Sequence, residues 1–409
     1  MCAIRVSERG IEIEMNRKCV VLGVTGGIAA YKALDIVSAL VKKDIDVKVI
    51  MTKAATEFVT PLSFQSLSKN QVIVDMFEEP KSWEIQHISL AHSADLMLIA
   101  PATANIIGKV ANGIADDMLS TTIMATKAPV IFALAMNTNM YENKIVQHNI
   151  EKLKKFNYEF IEPDSGRLAC GDIGKGKLAK ADLISNIILT KLYDKKDMIG
   201  KKVVVTAGPT ISPIDPVRFI TNKSSGKMGY AIAEEARDRG AHVTLISGPT
   251  DLKKPIDIEN ISVETNEEMY NAVLRKFHEA DIVIKAAAVA DYKPKNYSNE
   301  KIKKTNDNLN VEFIKDNDIL KKLGEIKEKQ ILVGFAAESK ELLLNAKEKL
   351  ERKNLDYIVA NNITSKDTGF KSDFNKVYIL KKDNETIELE KMSKRDVARN
   401  LFDIINKED

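Results

Sequence analysis

The chain has 409 residues, which is too long for one ordinary hydrophobic core and suits two domains of about 200 residues each. Its 61 Lys and Arg residues nearly balance its 58 Asp and Glu residues, so its charge does not favour a nucleic-acid partner, which needs a clustered cationic surface. No stretch approaches the roughly 18 apolar residues of a membrane helix, and three widely spaced cysteines argue against a disulfide framework or a zinc cluster, so we expect a cytoplasmic protein.

The first half of the chain alternates short apolar runs with helical patterns. Val20–Val24 is an apolar, β-branched run, and the turn Thr25-Gly26-Gly27 leads from it into a helical pattern over Ile28–Lys42. The next apolar run is Val47–Met51, and this order of elements indicates a right-handed parallel crossover. The same alternation predicts strands at Val72–Val74, Leu96–Ala100 and Pro129–Leu134, and helices near Thr103–Ala111 and Tyr141–Lys155.

The alternation restarts at Lys202. Val203–Gly208 repeats the pattern of the first strand and turn, and a long loop then leads to a helix over Met228–Arg239. Further strands are predicted at Val243–Ser247, Asp281–Ile284, Ile331–Phe335, Tyr357–Ala360, Val377–Leu380 and Thr386–Leu389, with helices near Asp318–Lys327, Lys340–Lys353 and Lys394–Asn406. Because the polar segment Asp194–Gly200 separates the halves, we predict two doubly wound α/β domains in tandem, residues 1–198 and 199–409.

Gly26 and Gly27 stand where a buried strand passes into a helix. Glycine lets backbone amides approach an anion, and a helix N-terminus adds a partial positive charge there. Gly23, Gly26 and Gly27 do not fit the dinucleotide fingerprint, which disfavours a nicotinamide dehydrogenase and favours the phosphate of a mononucleotide. The alternative is a tight turn that binds nothing.

Four further segments are expected at strand ends or in loops, where sheets of this kind bind ligands. They are His87–Leu90, Ala100–Asn105, Ala135–Met140 and Gly166–Gly176. The last contains four glycines among eleven residues, so we predict a loop in which Cys170 is accessible. The alternatives are a buried structural cysteine and, for His87, a hydrogen-bonded structural histidine.

The motifs TGGIAAYKA, HISL, APATAN, AMNTNM and GRLACGDIGKG follow one another in the first half. Together they resemble the flavin-dependent phosphopantothenoylcysteine decarboxylases of the flavin-containing cysteine decarboxylase family. The resemblance implies a flavodoxin-like or Rossmann-like three-layer domain that binds FMN. It also implies a thiol that is oxidised transiently to a thioaldehyde, so that the electrons left by CO2 have a sink.

The same resemblance assigns roles to individual residues. It implies that Cys170 donates a proton, that Asn137 holds the substrate carboxylate or amide, and that His87 orients or deprotonates the substrate. The residues that it implies for the FMN site are Gly26, Gly27, Thr52, Thr103 and Asn105.

The long loop of the second half ends in Gly226-Lys227, which invites comparison with a P-loop. Residue 221 is Thr rather than Gly, and Met228 stands where Ser or Thr should hold magnesium, so the loop is not a Walker A motif. Its glycines and hydroxyl side chains before a helix still predict an anion-binding nest. Downstream, the lysine run at Lys301, Lys303 and Lys304 has the alternative of a solvated strand edge.

AGPT, DPVRFITNKSSGKMG, AAAVADY, EKIKK, GFAAE and KNLD resemble the phosphopantothenate–cysteine ligases, which have a Rossmann-like domain. The resemblance implies activation of a carboxylate by CTP with Mg2+, whose protein ligands the sequence does not identify. Lys301 is implied to serve the α-phosphate, and Asn222 to polarise the acyl intermediate during its conversion. The other implied nucleotide-binding residues are Lys285, Ala286, Ala287, Asp291, Asn317, Asp318, Ile319, Leu320, Phe335, Lys349 and Lys353.

The order of the two halves is that of the bifunctional coenzyme A biosynthesis proteins. This implies ligation of 4′-phosphopantothenate to cysteine, decarboxylation of the product to 4′-phosphopantetheine, and a homo-oligomer that could be a dodecamer of trimeric and dimeric contacts. The alternative is a flavin-binding regulatory or interaction module fused to a ligase.

Overall fold

The computed structural model describes residues 4–7, 10–13, 17–77, 85–169, 171–303, 309–338, 341–362, 372–383 and 385–407. The chain divides into two compact units, Met1–Leu192 and Tyr193–Asp409. Each is a three-layer α/β unit with a mainly parallel central sheet, which confirms the predicted fold class. In the described parts of the chain, no helix combines the length and the apolar character needed to cross a bilayer.

The first unit is built on a parallel six-stranded sheet in the order β5-β4-β3-β6-β7-β8. The strands of this unit are β1 (Ile4–Ser7), β2 (Gly10–Ile13), β3 (Cys19–Val24), β4 (Asp46–Met51), β5 (Val72–Ile73), β6 (Leu96–Ala102), β7 (Val130–Leu134), β8 (Glu159–Ile161), β9 (Asp164–Arg167) and β10 (Ile173–Lys177). The helices are α1 (Ala33–Val41), α2 (Lys53–Thr56), α3 (Pro61–Ser68), α4 (Gln86–Ser93), α5 (Ala104–Ala111), α6 (Met118–Ala125), α7 (Thr138–Glu142), α8 (Lys144–Lys155) and α9 (Ala181–Leu192), with a 3₁₀ turn at Ile28–Lys32.

Both faces of this sheet are buried, as its continuous apolar strands predict. Val20, Leu22 and Val24 pack against α1, α3 and α9, whereas Cys19 and Val21 pack against α4, α5, α6 and α8. Successive side chains of β3 therefore serve two separate cores, because side chains alternate across a strand.

Two local predictions for the first unit are wrong. His87–Leu90 lies inside helix α4 and not at a strand end or in a loop, because Leu90 and Ala91 turn inward against the sheet. The glycine-rich segment 166–176 is also not a plain loop, since β9 and β10 pair as an antiparallel hairpin over much of its length. Gly176 has no room for a side chain, because a Cβ there would lie 2.2 Å from the Met136 carbonyl oxygen.

The second unit has an eight-stranded sheet in the order β15-β14-β11-β16-β19-β20-β21-β22, of which β21 and β22 are antiparallel. Its strands are β11 (Lys202–Ala207), β12 (Ile211–Pro213), β13 (Phe219–Thr221), β14 (His242–Ser247), β15 (Glu259–Ser262), β16 (Ile282–Lys285), β17 (Tyr292–Pro294), β18 (Phe313–Lys315), β19 (Ile331–Glu338), β20 (Tyr357–Asn362), β21 (Phe374–Lys381) and β22 (Thr386–Ser393). Its helices are α10 (Lys227–Asp238), α11 (Asn266–Phe277), α12 (Ile319–Ile326), α13 (Leu342–Arg352) and α14 (Lys394–Ile405).

Helices cover both faces of this sheet as well. α10 and α14 pack on one face, and α11, α12 and α13 pack on the other. Two short hairpins, β12–β13 and β17–β18, stand outside the main sheet and were not predicted, because strands of three residues are too short to show a periodic pattern. They lie in the segments that carry the predicted ligase motifs.

Candidate functional site

The predicted residues of the first unit gather at one edge of its sheet. Thr52 follows β4, Gly26 and Gly27 follow β3, Thr103 follows β6, and Asn137 follows β7. These four strands are neighbours and parallel, so their carboxyl ends meet at the same edge. From β3 the chain adds β4 and β5 on one side and then β6, β7 and β8 on the other, so the strand order reverses between β3 and β6. Open α/β sheets bind ligands at such a switch point.

Close contacts between loops shape this edge. Thr25 Oγ1 donates to the Pro101 carbonyl at 2.6 Å and lies 3.3 Å from Thr103 Oγ1. A Cβ added to Gly26 would lie 2.5 Å from the Ala54 Cβ, so that position has no room for a side chain. The Thr52 hydroxyl is buried with no hydrogen-bond partner among the described residues. A buried hydroxyl of this kind is expected to meet a ligand or water, so the edge suits a polar cofactor.

Asn137 joins two of the predicted motifs. Its Oδ1 accepts a hydrogen bond from the Asn139 amide at 2.8 Å, and its Nδ2 donates to Asp172 Oδ2 at 3.3 Å. The Met136 amide donates to the Gly176 carbonyl at 3.0 Å, so the β9–β10 hairpin lies against the segment that carries Asn137. The structure therefore brings the asparagine to the hairpin that contains the predicted proton donor.

For three other predicted residues of the first unit, the described part of the structure shows no contact with the residues at this edge. His87 is half-buried on α4, and no described contact joins it to Asn137. Asn105 is exposed on the first turn of α5. Cys170 lies outside the described residues, and so does Lys304 of the second unit.

The second unit has a similar edge, where the loops after β11 and β14 meet the start of α10. Gly208 and Gly226 have φ values of 73° and 76°, which favour glycine. A Cβ on either glycine would lie within 3 Å of Thr250 Cγ2, at 2.9 and 2.8 Å. Beside them, Tyr230 and Ser247 line a cavity of about 220 Å³. The turn that was predicted to form an anion nest is therefore tightly packed, and its binding of an anion stays a prediction.

Four predicted nucleotide residues lie close enough to interact electrostatically: Lys285, Asp291, Asp318 and Lys353. Lys353 Nζ lies 2.9 Å from Asp318 Oδ2, and Asp318 also caps α12 by accepting from the Lys321 amide. Burial lowers the pKa of the Lys285 amine to about 8, and the charge of Lys353 acts in the same direction against the two carboxylates. A poorly solvated amine at the end of β16 suits an anionic ligand.

Lys285 gives a pH dependence of stability whose sign can be worked out. The unfolded amine titrates near pH 10.5 and the folded amine at about pH 8, so between these values the unfolded chain binds more protons. Stability therefore rises with pH in this window, and below pH 8 the penalty of the buried charge is complete. We expect Lys285→Met to stabilise the protein at pH 7 and to lose that advantage as pH rises towards 10.

Thermal unfolding of both proteins across this pH range measures the effect. Lys347→Met, on the exposed surface of α13, controls for the removal of one positive charge. A difference between Lys285→Met and wild type that does not change with pH would contradict the prediction.

The remaining predicted residues of the second unit differ in how exposed they are. Asn222 and Lys301 are exposed, and Asn222 Nδ2 donates to the carbonyls of Ala288 and Val289 at 3.1 and 3.2 Å. Ile319 and Leu320 are buried in the core, so their side chains support α12 and are not available to a ligand. The half-buried residues are Ala286, Ala287, Phe335 and Lys349. The Asn317 carbonyl accepts a hydrogen bond from the Asn266 side chain.

Asn266 is a functional candidate that sequence reasoning missed. It is 1 % exposed, and its Nδ2 donates to the carbonyls of Ala290 and Asn317, at 3.2 and 2.9 Å. It thereby ties together the loops that carry Asp291 and Asp318. The capping box of Thr265 and Glu268 could have located the start of this helix, but neither loop could have been placed beside it from sequence.

Comparison with known proteins decides the family. The DNA/pantothenate metabolism flavoprotein C-terminal domain family matches residues 198–408, and the Flavoprotein family matches residues 10–193. The coenzyme A biosynthesis bifunctional protein CoaBC of Bacillus subtilis (strain 168) is 50% identical over 387 residues, 94% of this chain and 95% of that protein. The chain belongs to the family of coenzyme A biosynthesis bifunctional proteins. The protein of the same name from Borreliella burgdorferi is 46% identical over 393 residues, 95% of this chain and 99% of its own length.

A crystal structure of the C-terminal domain of a coenzyme A biosynthesis bifunctional protein CoaBC is 44% identical to the chain. It covers 52% of this chain and 97% of its own, with a TM-score of 0.46. Family membership confirms the predicted identity, a bifunctional enzyme with a decarboxylase and a ligase activity, in which a flavoprotein domain precedes the ligase domain.

Proposed function

We propose that the second unit ligates 4′-phosphopantothenate to cysteine with CTP and Mg2+, and that the first unit decarboxylates the product to 4′-phosphopantetheine with FMN. The observation that carries the decarboxylase part is the contact of Asn137 with the β9–β10 hairpin at the carboxyl edge of the sheet. This contact brings the Asn137 amide, which we expect to hold the substrate, to the hairpin whose sequence contains Cys170. The glycine turn Gly26-Gly27, which suits a phosphate, follows a strand at the same edge. We also propose that the protein is a homo-oligomer, which the family resemblance implies.

Residues of the first unit fit a flavin mononucleotide. Gly26 and Gly27 offer backbone amides to its phosphate, and the unpartnered Thr52 hydroxyl offers one further hydrogen bond. Bound FMN supplies a reversible acceptor of two electrons, which an amide-linked cysteine lacks. The protein groups then have separate tasks: Asn137 holds the substrate, and Cys170 donates the proton that completes the product.

In the second unit, a carboxylate oxygen of phosphopantothenate attacks the α-phosphorus of CTP, and pyrophosphate leaves. The amine of cysteine then attacks the acyl carbon and displaces CMP. Lys301 stabilises the charge that builds up on the α-phosphate, and Mg2+ bound through the triphosphate would share that task. Because Asn222 Nδ2 already donates to two carbonyls, its Oδ1 is the atom that accepts a hydrogen bond from the amine of cysteine.

Thr52→Val tests the flavin site. The change removes the unpartnered hydroxyl at nearly constant volume, so we expect affinity for FMN to fall about tenfold without loss of stability in the flavin-free protein. Quenching of flavin fluorescence on titration measures the affinity. Thr56→Val is the matched control, because that hydroxyl donates to the Lys53 carbonyl within α2. Equal affinities of wild type and Thr52→Val would contradict the assignment.

Cys170→Ser separates the two activities. We expect the variant to release pyrophosphate from CTP with phosphopantothenate and cysteine at the wild-type rate, but to form no 4′-phosphopantetheine, because its hydroxyl is a far weaker acid than a thiol. Mass spectrometry of the product and a pyrophosphate assay measure both steps. If wild type makes no 4′-phosphopantetheine, the proposed function fails, and a flavin-binding module without catalysis becomes the better description of the first unit.

A further inference from the structure

The hairpin β12–β13 lies between the two predicted catalytic residues of the second unit, because Asn222 follows its base and the segment of Lys301 is bonded to its tip. It leaves the carboxyl edge of the sheet after Thr210 and returns to Asn222, and Thr221 Oγ1 closes its base by donating to the Thr210 carbonyl at 2.9 Å. At its tip, the Ile214 amide donates to the Arg218 carbonyl at 2.8 Å. The tip therefore has a defined turn.

Asp215 lies in this turn, and each of its two carboxylate oxygens has a different task. Oδ1 accepts from the amides of Val217 and Arg218, at 2.8 and 2.7 Å, which stabilises the turn itself. Oδ2 accepts from the Ile302 amide at 3.1 Å, across 87 positions of sequence, and from Arg218 Nη1 at 3.1 Å. The side chain is fully buried. One oxygen would suffice for the turn, so the second serves the segment of Ile302.

Two further hydrogen bonds hold that segment against the hairpin. The Ser298 amide donates to the Ile214 carbonyl at 3.1 Å, and Arg218 Nη1 donates to the Ile302 carbonyl at 3.2 Å. Lys301 stands between these ties, and its own side chain is exposed. A lysine is a point charge on a flexible stem, so its position depends on how firmly its backbone is held.

The electrostatics of Asp215 agree with this geometry. Burial raises the pKa of its carboxyl group, but the amides of Val217, Arg218 and Ile302 and the charge of Arg218 outweigh burial, so the pKa lies below its usual range. The carboxylate therefore stays ionised and keeps its four acceptor contacts at neutral pH.

We propose that Asp215 is a positioning residue of the ligation reaction, which holds the Lys301 segment to a hairpin whose base carries Asn222. This rests on the proposed function, because it takes Lys301 as the group that stabilises the α-phosphate. The hairpin fixes the spacing between the lysine used in the first step and the asparagine used in the second.

Asp215→Asn isolates the link to Ile302. An amide side chain has one acceptor oxygen and one NH2 donor, so it can replace only one of the two carboxylate oxygens of Asp215. In the orientation that keeps the turn, the NH2 group faces the Ile302 amide, and that hydrogen bond is lost. In the full-length protein, we expect pyrophosphate release with CTP and phosphopantothenate to slow about 10- to 100-fold in kcat. We expect Lys301→Gln to slow the same step, and the double variant to be no slower than Lys301→Gln alone.

Hydrogen exchange tests the anchoring without reference to activity. We expect the peptide that contains residues 298–303 to exchange about tenfold faster in Asp215→Asn. Asp281→Asn is the matched control, because Asp281 also accepts a backbone amide from a distant segment, that of Lys202, but at the amino edge of the sheet. It should leave both measurements unchanged. Asp215→Ser, which can keep the turn but cannot reach Ile302, serves as a second variant should Asp215→Asn fold poorly.

Each outcome separates this inference from the function beneath it. Unchanged exchange at residues 298–303 overturns the inference, and so does an effect of Asp215→Asn that adds fully to that of Lys301→Gln. If wild type releases no pyrophosphate from CTP, the proposed function fails. The exchange rate of residues 298–303 in Asp215→Asn then still shows whether Asp215 anchors that segment. Faster exchange together with a non-additive loss of kcat supports the inference.

Discussion

Gly176→Ala is expected to abolish most decarboxylation while leaving ligation intact. A Cβ at this position would lie 2.2 Å from the Met136 carbonyl oxygen, which is backbone and cannot rotate away. The β9–β10 hairpin must then move off the segment that carries Asn137, and the Met136–Gly176 hydrogen bond is lost with it. A displacement of about 1 Å at a reacting group lowers rates by about 100-fold, which is the loss we expect.

The measurement is the rate of CO2 release from synthetic 4′-phosphopantothenoylcysteine, with CTP-dependent pyrophosphate release as the internal reference. Gly108→Ala is the matched control in the same unit, because an added Cβ there meets nothing within 4 Å and lies in helix α5. Its decarboxylation should equal that of wild type. A Gly176→Ala protein that decarboxylates at the wild-type rate would show that the hairpin does not need this contact.

Arg239→Met is expected to cause the largest loss of stability in the second unit. The guanidinium is fully buried, and it donates to Glu235 at 2.9 Å, to Asp197 at 3.2 Å and to the Arg399 carbonyl at 2.9 Å, as well as to Asp403. Removal of the cation takes one charged partner from Asp197 and Asp403 and from Glu235, whose side chain is fully buried. Breaking a buried ion pair from one side lowers the free energy of unfolding by about 3–5 kcal/mol.

Calorimetry of the full chain measures this effect as a fall of about 10 °C in the midpoint of the second unit. Lys376→Met is the control, because Lys376 pairs with Glu388 and Glu390 on an exposed surface, where a pair contributes less than about 1 kcal/mol. Arg239→Lys should fall between the two, since it keeps the charge but loses the planar fork. Equal midpoints for Arg239→Met and Lys376→Met would refute the argument.

Much of the fold was predictable because parallel strands buried on both faces are continuous apolar runs. Leu96–Ala100 is one such run, and the structure has β6 there. Helices were less certain. The pattern over Tyr141–Lys155 predicts one helix, whereas the structure has two helices that are separated at Asn143. The Asn143 side chain accepts a hydrogen bond from the Ile145 amide and caps the start of α8. Polar caps of this kind interrupt a helix without interrupting its apolar periodicity.

The candidate sites were predictable to the extent that they follow strand ends. Gly26, Thr52, Thr103 and Asn137 could be expected at one edge, because carboxyl ends of neighbouring parallel strands coincide. The role of Asp215 could not be predicted, since its motif shows a turn but not the partner of its second oxygen. Asn266 was missed for the same reason, because both of its acceptors are carbonyls of distant loops.

The sequence alone determined the two α/β units, the order of their motifs and the family to which the chain belongs, because buried strands, glycine turns and motif spacing are local properties of the chain. Tertiary structure decided that the glycine-rich segment pairs as a hairpin, that His87 lies on a helix, and that Asp215 holds the segment of Lys301. These features depend on contacts between residues that are far apart along the chain. Such contacts form only when the order of strands in a sheet is fixed, and a local pattern carries no record of that order.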